Sequence, residues 1–407
     1  MTRVLRIINR FNLGGPTYNA AYLTKYLEPK YETLLVGGAK DPLEANSDYI
    51  VRNLGINPTI IPEMQRSINV RQDWIAYQKI KKIIQDFNPD IVHTHASKAG
   101  ALGRLAAHNL KVPVVVHTFH GHVFDAYFGS AQANIYKMVE RVMANYSTKI
   151  IAISDLQKDD LVQKYKICGA DKVNIINLGF DLSKFQDNQE EKRVDFRTKY
   201  QVADDEVAIA ITGRLVPIKN HSMFLEVVKK VLEKSSKKVR FFIVGDGEER
   251  SNIENKLTQL NIPYCDVLKS FENCPVTLTS WIKDVDIVNA GIDIVVLTSL
   301  SEGTPVSLIE AQASNKPIVT TNVGGISNIV VPGKTALLAE TDDIDAFANH
   351  LLSIIEREEL REEMSKHGWD YVREKFHYTR LVNDMDKLYS ELLMEAKEKK
   401  SYKKAAH

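Results

Sequence analysis

Cysteine is scarce in this chain: Cys168, Cys265 and Cys274 are the only three in 407 residues, and no two form a CxxC pair. That speaks against a zinc site or a disulfide framework and fits a reducing, cytoplasmic compartment. Long apolar runs are absent too, since no stretch reaches the roughly 18–20 residues of a membrane span. Neither sign of charge is in excess, with 53 Lys plus Arg against 52 Asp plus Glu. The near balance argues against a dedicated nucleic-acid binder. There is no GxGxxG after the first strand, hence no dinucleotide fingerprint, and no HExxH metal motif. No internal repeat is visible. Met1–Ile8 is read as a first strand, its apolar run being too short for a signal peptide. The basic tail, with Lys397, Lys399, Lys400, Lys403 and Lys404, is read as a solvated end. A peripheral contact with the inner face of a membrane is the competing reading of that tail.

Amphipathic helical segments alternate with short apolar runs almost from end to end, which predicts an α/β protein with parallel sheets. A length of 407 residues exceeds what one core holds, so two domains are expected. Composition changes near Ser183, where Gln, Asp, Glu, Lys and Arg crowd out apolar residues up to Tyr200. The expected division is therefore a first domain at 1–183, a linker at 184–200, a second domain at 201–380, and a last helix with the tail at 381–407. The tract Asn261–Ser280 has no clear assignment. Gly333-Lys334-Thr335 resembles the end of a P-loop, but Asn328 stands where the leading glycine belongs and a strand, not a helix, follows.

The stretch from Asp293 to Ala311 organises the chain. It opens as a buried strand, breaks at Ser301-Glu302-Gly303, and restarts as a helix with Thr304 as expected N-cap and Pro305 at N1. Free N–H groups at Gly303, Val306 and Ser307 and the helix dipole make an anion site suited to phosphate. Glu302 and Glu310 flank it. Carboxylates repel phosphate, so they are read as acceptors for neutral hydroxyls, and a ligand with phosphates and many hydroxyls is a nucleotide sugar. The plain alternative is an ordinary βα unit with two solvated glutamates. Arg214 and Lys219 lie in the first βα loop of the second half, where two cations could meet a pyrophosphate. They could equally be solvated loop cations. Gly14-Gly15 follows the first strand as either a structural turn or a ligand loop. Six of the 11 histidines fall between positions 93 and 122, at expected carboxyl ends of strands. No carboxylate or cysteine stands at ligand spacing, so no metal site is read there. His93, His95 and His117 are read as core or loop histidines satisfied by backbone partners, and His120, beside Gly121, as the one placed to touch a substrate.

Together these motifs resemble the retaining glycosyltransferases of family 4, and the resemblance covers nearly the whole chain. Glu302 to Glu310 looks like that family's E-x7-E signature, and Gly213-Arg214-Leu215 with Lys219-Asn220 looks like its GRL…KN signature. Val323-Gly324-Gly325, Gly245-Asp246-Gly247, the Gly14-Gly15 loop and Thr118-Phe119-His120-Gly121-His122 also match. The resemblance implies a GT-B fold, with two Rossmann-like domains facing a central cleft. The first domain would bind the acceptor and the second a nucleotide-diphosphate sugar, with UDP the expected nucleotide. The last helix would cross back to the first domain. Arg214 and Lys219 would grip the diphosphate with N–H groups at Gly303, Thr304 and Val306, and Gly245, Gly14 and Gly15 would belong to the donor side. Glu302 would contact the donor sugar, Glu310 the ribose, and His120 the sugar and acceptor. No metal or other cofactor is expected, and the acceptor would be a glycan or lipid-linked intermediate of surface polysaccharide. One departure is Ser280, where the family has glycine before the residue at Trp281. A nucleotide-sugar epimerase and a non-catalytic nucleotide-sugar sensor are the competing functions.

Overall fold

The computed structural model describes every residue except 12–14, 40–47, 66, 122–129 and 406–407. Contacts divide the chain into two compact units, Met1–Phe180 with Phe376–His407, and Asp181–Lys375. Each unit is built on a seven-stranded sheet whose pairings are parallel.

In the first unit the strands are β1 (Thr2–Arg10), β2 (Tyr31–Gly38), β3 (Thr59–Ile60), β4 (Ile91–His95), β5 (Val114–Thr118), β6 (Lys149–Ala152) and β7 (Val173–Ile175). Their order is β3-β2-β1-β4-β5-β6-β7, so the direction of winding reverses between β1 and β4. Side chains alternate across a strand, and here both faces are covered, which is why the strand sequences are largely apolar, with exceptions such as Arg6 on β1 and His93, Thr94 and His95 on β4. Val4, Ile91, Val114 and Val116 pack with Leu23, Leu381, Met385 and Leu388 on one face. Leu5, Ile7, Val92 and Val115 pack with Ile80, Ile84, Ala99 and Ala106 on the other.

The last helix, Tyr378–Ala405, belongs to this first unit. Phe180 and the segment at Phe376–Tyr378 lie side by side, with Phe180 N donating to Phe376 O at 2.8 Å and Tyr378 N to Phe180 O at 3.0 Å. Leu381, Met385, Leu388, Tyr389 and Leu392 then cover the first sheet as one helical face. Among the described residues no helix is long and apolar enough to cross a membrane.

The second unit holds β8 (Glu206–Thr212), β9 (Lys238–Val244), β10 (Tyr264–Asp266), β11 (Val276–Ser280), β12 (Ile294–Leu297), β13 (Ile318–Thr321) and β14 (Ala336–Ala339), in the order β10-β11-β9-β8-β12-β13-β14. The tract left unassigned by the sequence supplies β10 and β11 at one edge. The stretch expected as a linker is folded instead. It forms a short 3-10 turn at Ser183–Phe185 and the helix Gln189–Lys199, which packs on the helix Val285–Gly291. Phe196 lies against Gly291, where any added Cβ would come within 2.2 Å of its ring, and Arg193 and Arg197 both reach the Asp293 carboxylate. Gly333–Thr335 leads into β14, and the buried Thr335 hydroxyl donates to Gln312 Oε1 at 2.8 Å, a structural role.

Candidate functional site

In an open parallel sheet, a crevice opens beyond the carboxyl ends of the strands at the point where the winding reverses. In the second sheet that point lies between β8 and β12. The loop after β8 carries Arg214 and Lys219, and the loop after β12 carries Glu302, Gly303 and Thr304. The two loops are laced together. Leu300 N donates to Ile218 O at 2.8 Å, and the Thr298 hydroxyl reaches the carbonyls of Lys219 and Asn220 at 3.0 and 3.1 Å. Asn220 takes the left-handed conformation, φ +50°, and its side chain caps the helix His221–Lys234 by accepting from Met223 N. That explains the asparagine after Lys219, since Asn tolerates this region and is a good cap.

The Lys219 ammonium and the Glu302 carboxylate meet directly, Nζ to Oε1 at 2.6 Å, and Ser299 Oγ donates to the same oxygen at 2.6 Å. Both charged side chains are mostly buried, at 18% and 12% exposure, so the pair is poorly screened. The sequence reading gave these two residues separate partners and overlooked Ser299, which a three-residue spacing to Glu302 could have signalled. Arg214 is solvent-exposed.

The turn itself is held from the far side by Val323-Gly324-Gly325. Gly325 N donates to Glu302 O at 3.0 Å. Gly324 sits at φ +54°, and a Cβ there would come within 2.0 Å of the Glu302 carbonyl oxygen. Only glycine permits both the conformation and the approach. Gly245 serves the neighbouring loop in the same way: its φ is +141°, and a Cβ would lie 1.8 Å from Gly213 O.

The helix after the turn begins one residue later than expected. It runs Val306–Ala313, with Pro305 at the N-cap position and no side-chain cap. Thr304 is thus outside it. Without a capping side chain, the N–H groups of Val306 and Ser307 remain available as donors, while Leu308 N donates to Pro305 O at 3.1 Å. Glu310 lies one turn in, half-buried, and burial pushes its carboxyl up to about 7, with Lys184 opposing and Asp286 reinforcing the shift.

Ser280 adopts φ +57°, the left-handed region that favours glycine, and its hydroxyl donates to Asp246 Oδ2 at 2.8 Å. The serine therefore holds the conformation that the glycine of the related pattern would hold, and Trp281 beside it is 54% exposed. A cavity of about 440 Å³ lies elsewhere, near the amino ends of β12 and β13, lined by Arg193, Asp293, Ser314 and Lys316. It shares none of the motif residues.

In the first unit, Gly14 lies outside the described residues, and Gly15 opens the helix Gly15–Tyr26 after β1. His93 and His95 are on β4, His117 on β5, and His120 just beyond β5, while His122 is outside the described residues. The first three are fully buried; the partners of His93 and His95 are side chains rather than the expected backbone groups, while His117 meets both the backbone and the side chain of Thr94. His93 Nδ1 meets the Tyr389 hydroxyl at 2.6 Å and His93 Nε2 meets Thr118 Oγ1 at 2.8 Å. His117 Nδ1 meets Thr94 Oγ1 at 2.8 Å, and His95 Nδ1 meets His120 Nε2 at 2.9 Å. Burial holds all four rings neutral, with His120 pulled down to about 3. Among the described residues no group of three histidine, cysteine or carboxylate side chains could hold a metal ion.

Two family models match the chain, Glycosyltransferase Family 4 over residues 13–184 and Glycosyl transferases group 1 over residues 192–370. The chain is 29% identical to the UDP-Gal:alpha-D-GlcNAc-diphosphoundecaprenol alpha-1,3-galactosyltransferase of Escherichia coli, over 82% of this chain and 84% of that protein. It is 27% identical to the capsular polysaccharide biosynthesis glycosyltransferase CapM of Staphylococcus aureus, over 84% and 86%. Its fold is similar to that of the Anabaena protein HepE in complex with UDP, at a TM-score of 0.77 and 17% identity, covering 96% of this chain and all of that one.

Proposed function

The chain belongs to the group 1 glycosyl transferases, with a family 4 amino-terminal half and the GT-B fold, and from that premise we propose what it transfers and how. The reaction moves a sugar from a nucleotide-diphosphate sugar, with UDP as the nucleotide, to a hydroxyl of a lipid-linked or oligosaccharide intermediate of surface polysaccharide. The anomeric configuration is retained. Support for the donor and acceptor classes comes from the E. coli relative, whose name states a UDP sugar and a lipid-linked diphosphate acceptor. The observation that carries the reading is the Lys219–Glu302 pair at the switch point of the second sheet, beside a helix start without a capping side chain.

Breaking the anomeric C–O bond leaves negative charge on the departing diphosphate. Arg214, Lys219 and the N–H groups of Gly303, Thr304 and Val306 stabilise that charge as it grows, from positions fixed before the reaction begins. Gly245 keeps the Arg214 loop close to the sheet. Glu302 accepts from sugar hydroxyls while holding Lys219 in place. Glu310 accepts from the ribose. The acceptor oxygen bonds to the anomeric carbon on the face the diphosphate leaves, and its proton passes to a diphosphate oxygen. In the first unit His120 serves the acceptor. The cations supply the positive charge, so no metal is required.

The test is transfer from UDP-galactose and UDP-N-acetylglucosamine to a lipid-diphosphate sugar, with saturating EDTA and with NMR assignment of the product anomer. Undiminished transfer in EDTA and an α-linked product from an α-linked donor are expected. Loss of activity rescued by Mg²⁺ would overturn metal independence, and a β-linked product would overturn retention. Interconversion of nucleotide sugars without any acceptor would make the protein an epimerase.

Glu310 gives this reading a pH signature. A carboxyl raised to about 7 is mostly protonated below that pH, and the neutral acid accepts from the ribose hydroxyls more weakly than the carboxylate does. UDP affinity is therefore expected to weaken by about tenfold from pH 8 down to pH 6, because a group loses its ionised form tenfold per unit below its pKa. Calorimetric titration of Glu310→Gln alongside the parent separates this from titration of the UDP phosphate. An identical pH profile in both proteins would remove Glu310 from the ribose.

A further inference from the structure

As core or loop histidines His93 and His95 would only pack, yet they stack in a continuous column with the half-buried His120. The His93 and His95 rings stack with centroids 4.2 Å apart, and the His95 and His120 rings stack at 5.2 Å. The column is anchored at its base. Arg6 is fully buried and can only donate, and its NH2 lies 3.1 Å from the Tyr389 oxygen. The single Tyr389 proton therefore goes to His93 Nδ1 at 2.6 Å, leaving the His93 proton on Nε2 to bond Thr118 Oγ1 at 2.8 Å. One arginine on β1 and one tyrosine on the last helix thus define both faces of the His93 ring and its tautomer.

The upper end is different. A 2.9 Å contact between two neutral imidazole nitrogens requires one N–H and one lone pair. The tautomer of His120 is thus tied to that of His95 through one shared proton. The outer nitrogens, His95 Nε2 and His120 Nδ1, are buried atoms without a hydrogen-bond partner among the described residues. A buried polar atom left unpaired is costly and usually marks a place that something else completes. His120 Nδ1 is the ring nitrogen left over, and whether it carries a proton or a lone pair is coupled to which of the two rings supplies the shared proton.

We infer that His95 is a positioning residue, which through its Nδ1–His120 Nε2 hydrogen bond fixes the ring plane and tautomer that His120 presents to the acceptor. This rests on the reading above of His120 as substrate-facing. The test uses the full-length protein. His95→Phe keeps an aromatic ring in the stack and removes both nitrogens, while His95→Asn places an amide near the site of Nδ1. His95→Phe is expected to lower kcat by about tenfold with donor KM changed by less than about twofold, the scale of one lost hydrogen bond that acts in the transition state. His95→Asn is expected to recover most of that loss. In a His120→Ala background, His95→Phe is expected to add less than about twofold, since two residues acting through one contact are not additive.

Ring nitrogen NMR supplies the second measurement. His120 is expected as one neutral tautomer in the parent and as a mixture in His95→Phe. An unchanged His120 tautomer in His95→Phe, or an equal loss of kcat in the parent and His120→Ala backgrounds, would overturn the inference. If His120→Ala alone leaves transfer intact, the substrate role of His120 falls, and the positioning claim is then decided by the NMR result.

Discussion

Replacing Lys219 by alanine is expected to lower the turnover number by roughly 10²-fold or more, the scale of losing one fixed electrostatic stabiliser. Two effects act in the same direction. The leaving diphosphate loses a cation whose value grows as the sugar–phosphate bond breaks. The Glu302 carboxylate, relieved of its partner at 2.6 Å, keeps only the Ser299 hydroxyl on that oxygen and sets an unbalanced negative charge beside the phosphates. Glu302 is mostly buried, so solvent does little to soften the repulsion. Steady-state rates at saturating donor, with circular dichroism to verify folding, give the measurement. Turnover within about threefold of the parent would remove Lys219 from the reaction. A double variant that also carries Glu302→Gln is expected to recover part of the loss, because the second of the two effects is then absent.

The other large effect concerns stability, and it lies in the first unit. Arg104 and Glu140 are buried at 0% and 3% exposure on the helices Ser97–Asn109 and Ser130–Asn145, with NH2 to Oε2 at 2.6 Å. Arg104 Nε also donates to Gly100 O at 2.8 Å, while NH1 has no partner among the described residues. Removing the carboxylate leaves a fully buried guanidinium without its counter-charge, close to the His117 ring. Glu140→Ala is therefore expected to cost about 3–5 kcal/mol, as breaking a buried pair does, whereas Arg104→Met with Glu140→Leu should come much closer to the parent. Urea unfolding followed by fluorescence measures both. A loss under about 1 kcal/mol in Glu140→Ala would show that water reaches the pair.

The sheets were legible because their central strands are buried on both faces and therefore announce themselves as apolar runs. Val114–Val116 and Val207–Ile211 are such runs, and Val4–Ile8 is one broken only by the buried Arg6. The turn at Glu302–Gly303 was legible for a related reason, since the run stops there and a helix restarts at Pro305 and Val306. The helix Gln189–Lys199 was not, because only Phe196 and Arg197 are buried in it and all of its 11 residues but Val194 and Phe196 are polar, like a tether. The contact between Lys219 and Glu302 spans 83 positions and joins two loops, so no local pattern encodes it. Nor could sequence explain Val323-Gly324-Gly325, whose glycines answer to a carbonyl some twenty residues upstream. The histidine column escaped notice because one of its anchors, Tyr389, lies 296 positions from His93.

That distance also bears on how the protein is made. The first unit needs the helix Tyr378–Ala405 to cover one face of its sheet, so the half whose synthesis begins first is the half whose core closes last. The intervening stretch 181–375 is one contiguous block of about 195 residues, and a ribosome adding about 5–20 residues per second spends roughly 10–40 s on it. Throughout that interval Val4, Leu23, Ile91, Val114 and Val116 lack Leu381, Met385 and Leu388. The nascent chain therefore exposes that apolar face until the last helix is made, and a chain truncated just after Lys375 is expected to hold every residue of the second unit beside a first unit that lacks the helix covering one face of its sheet.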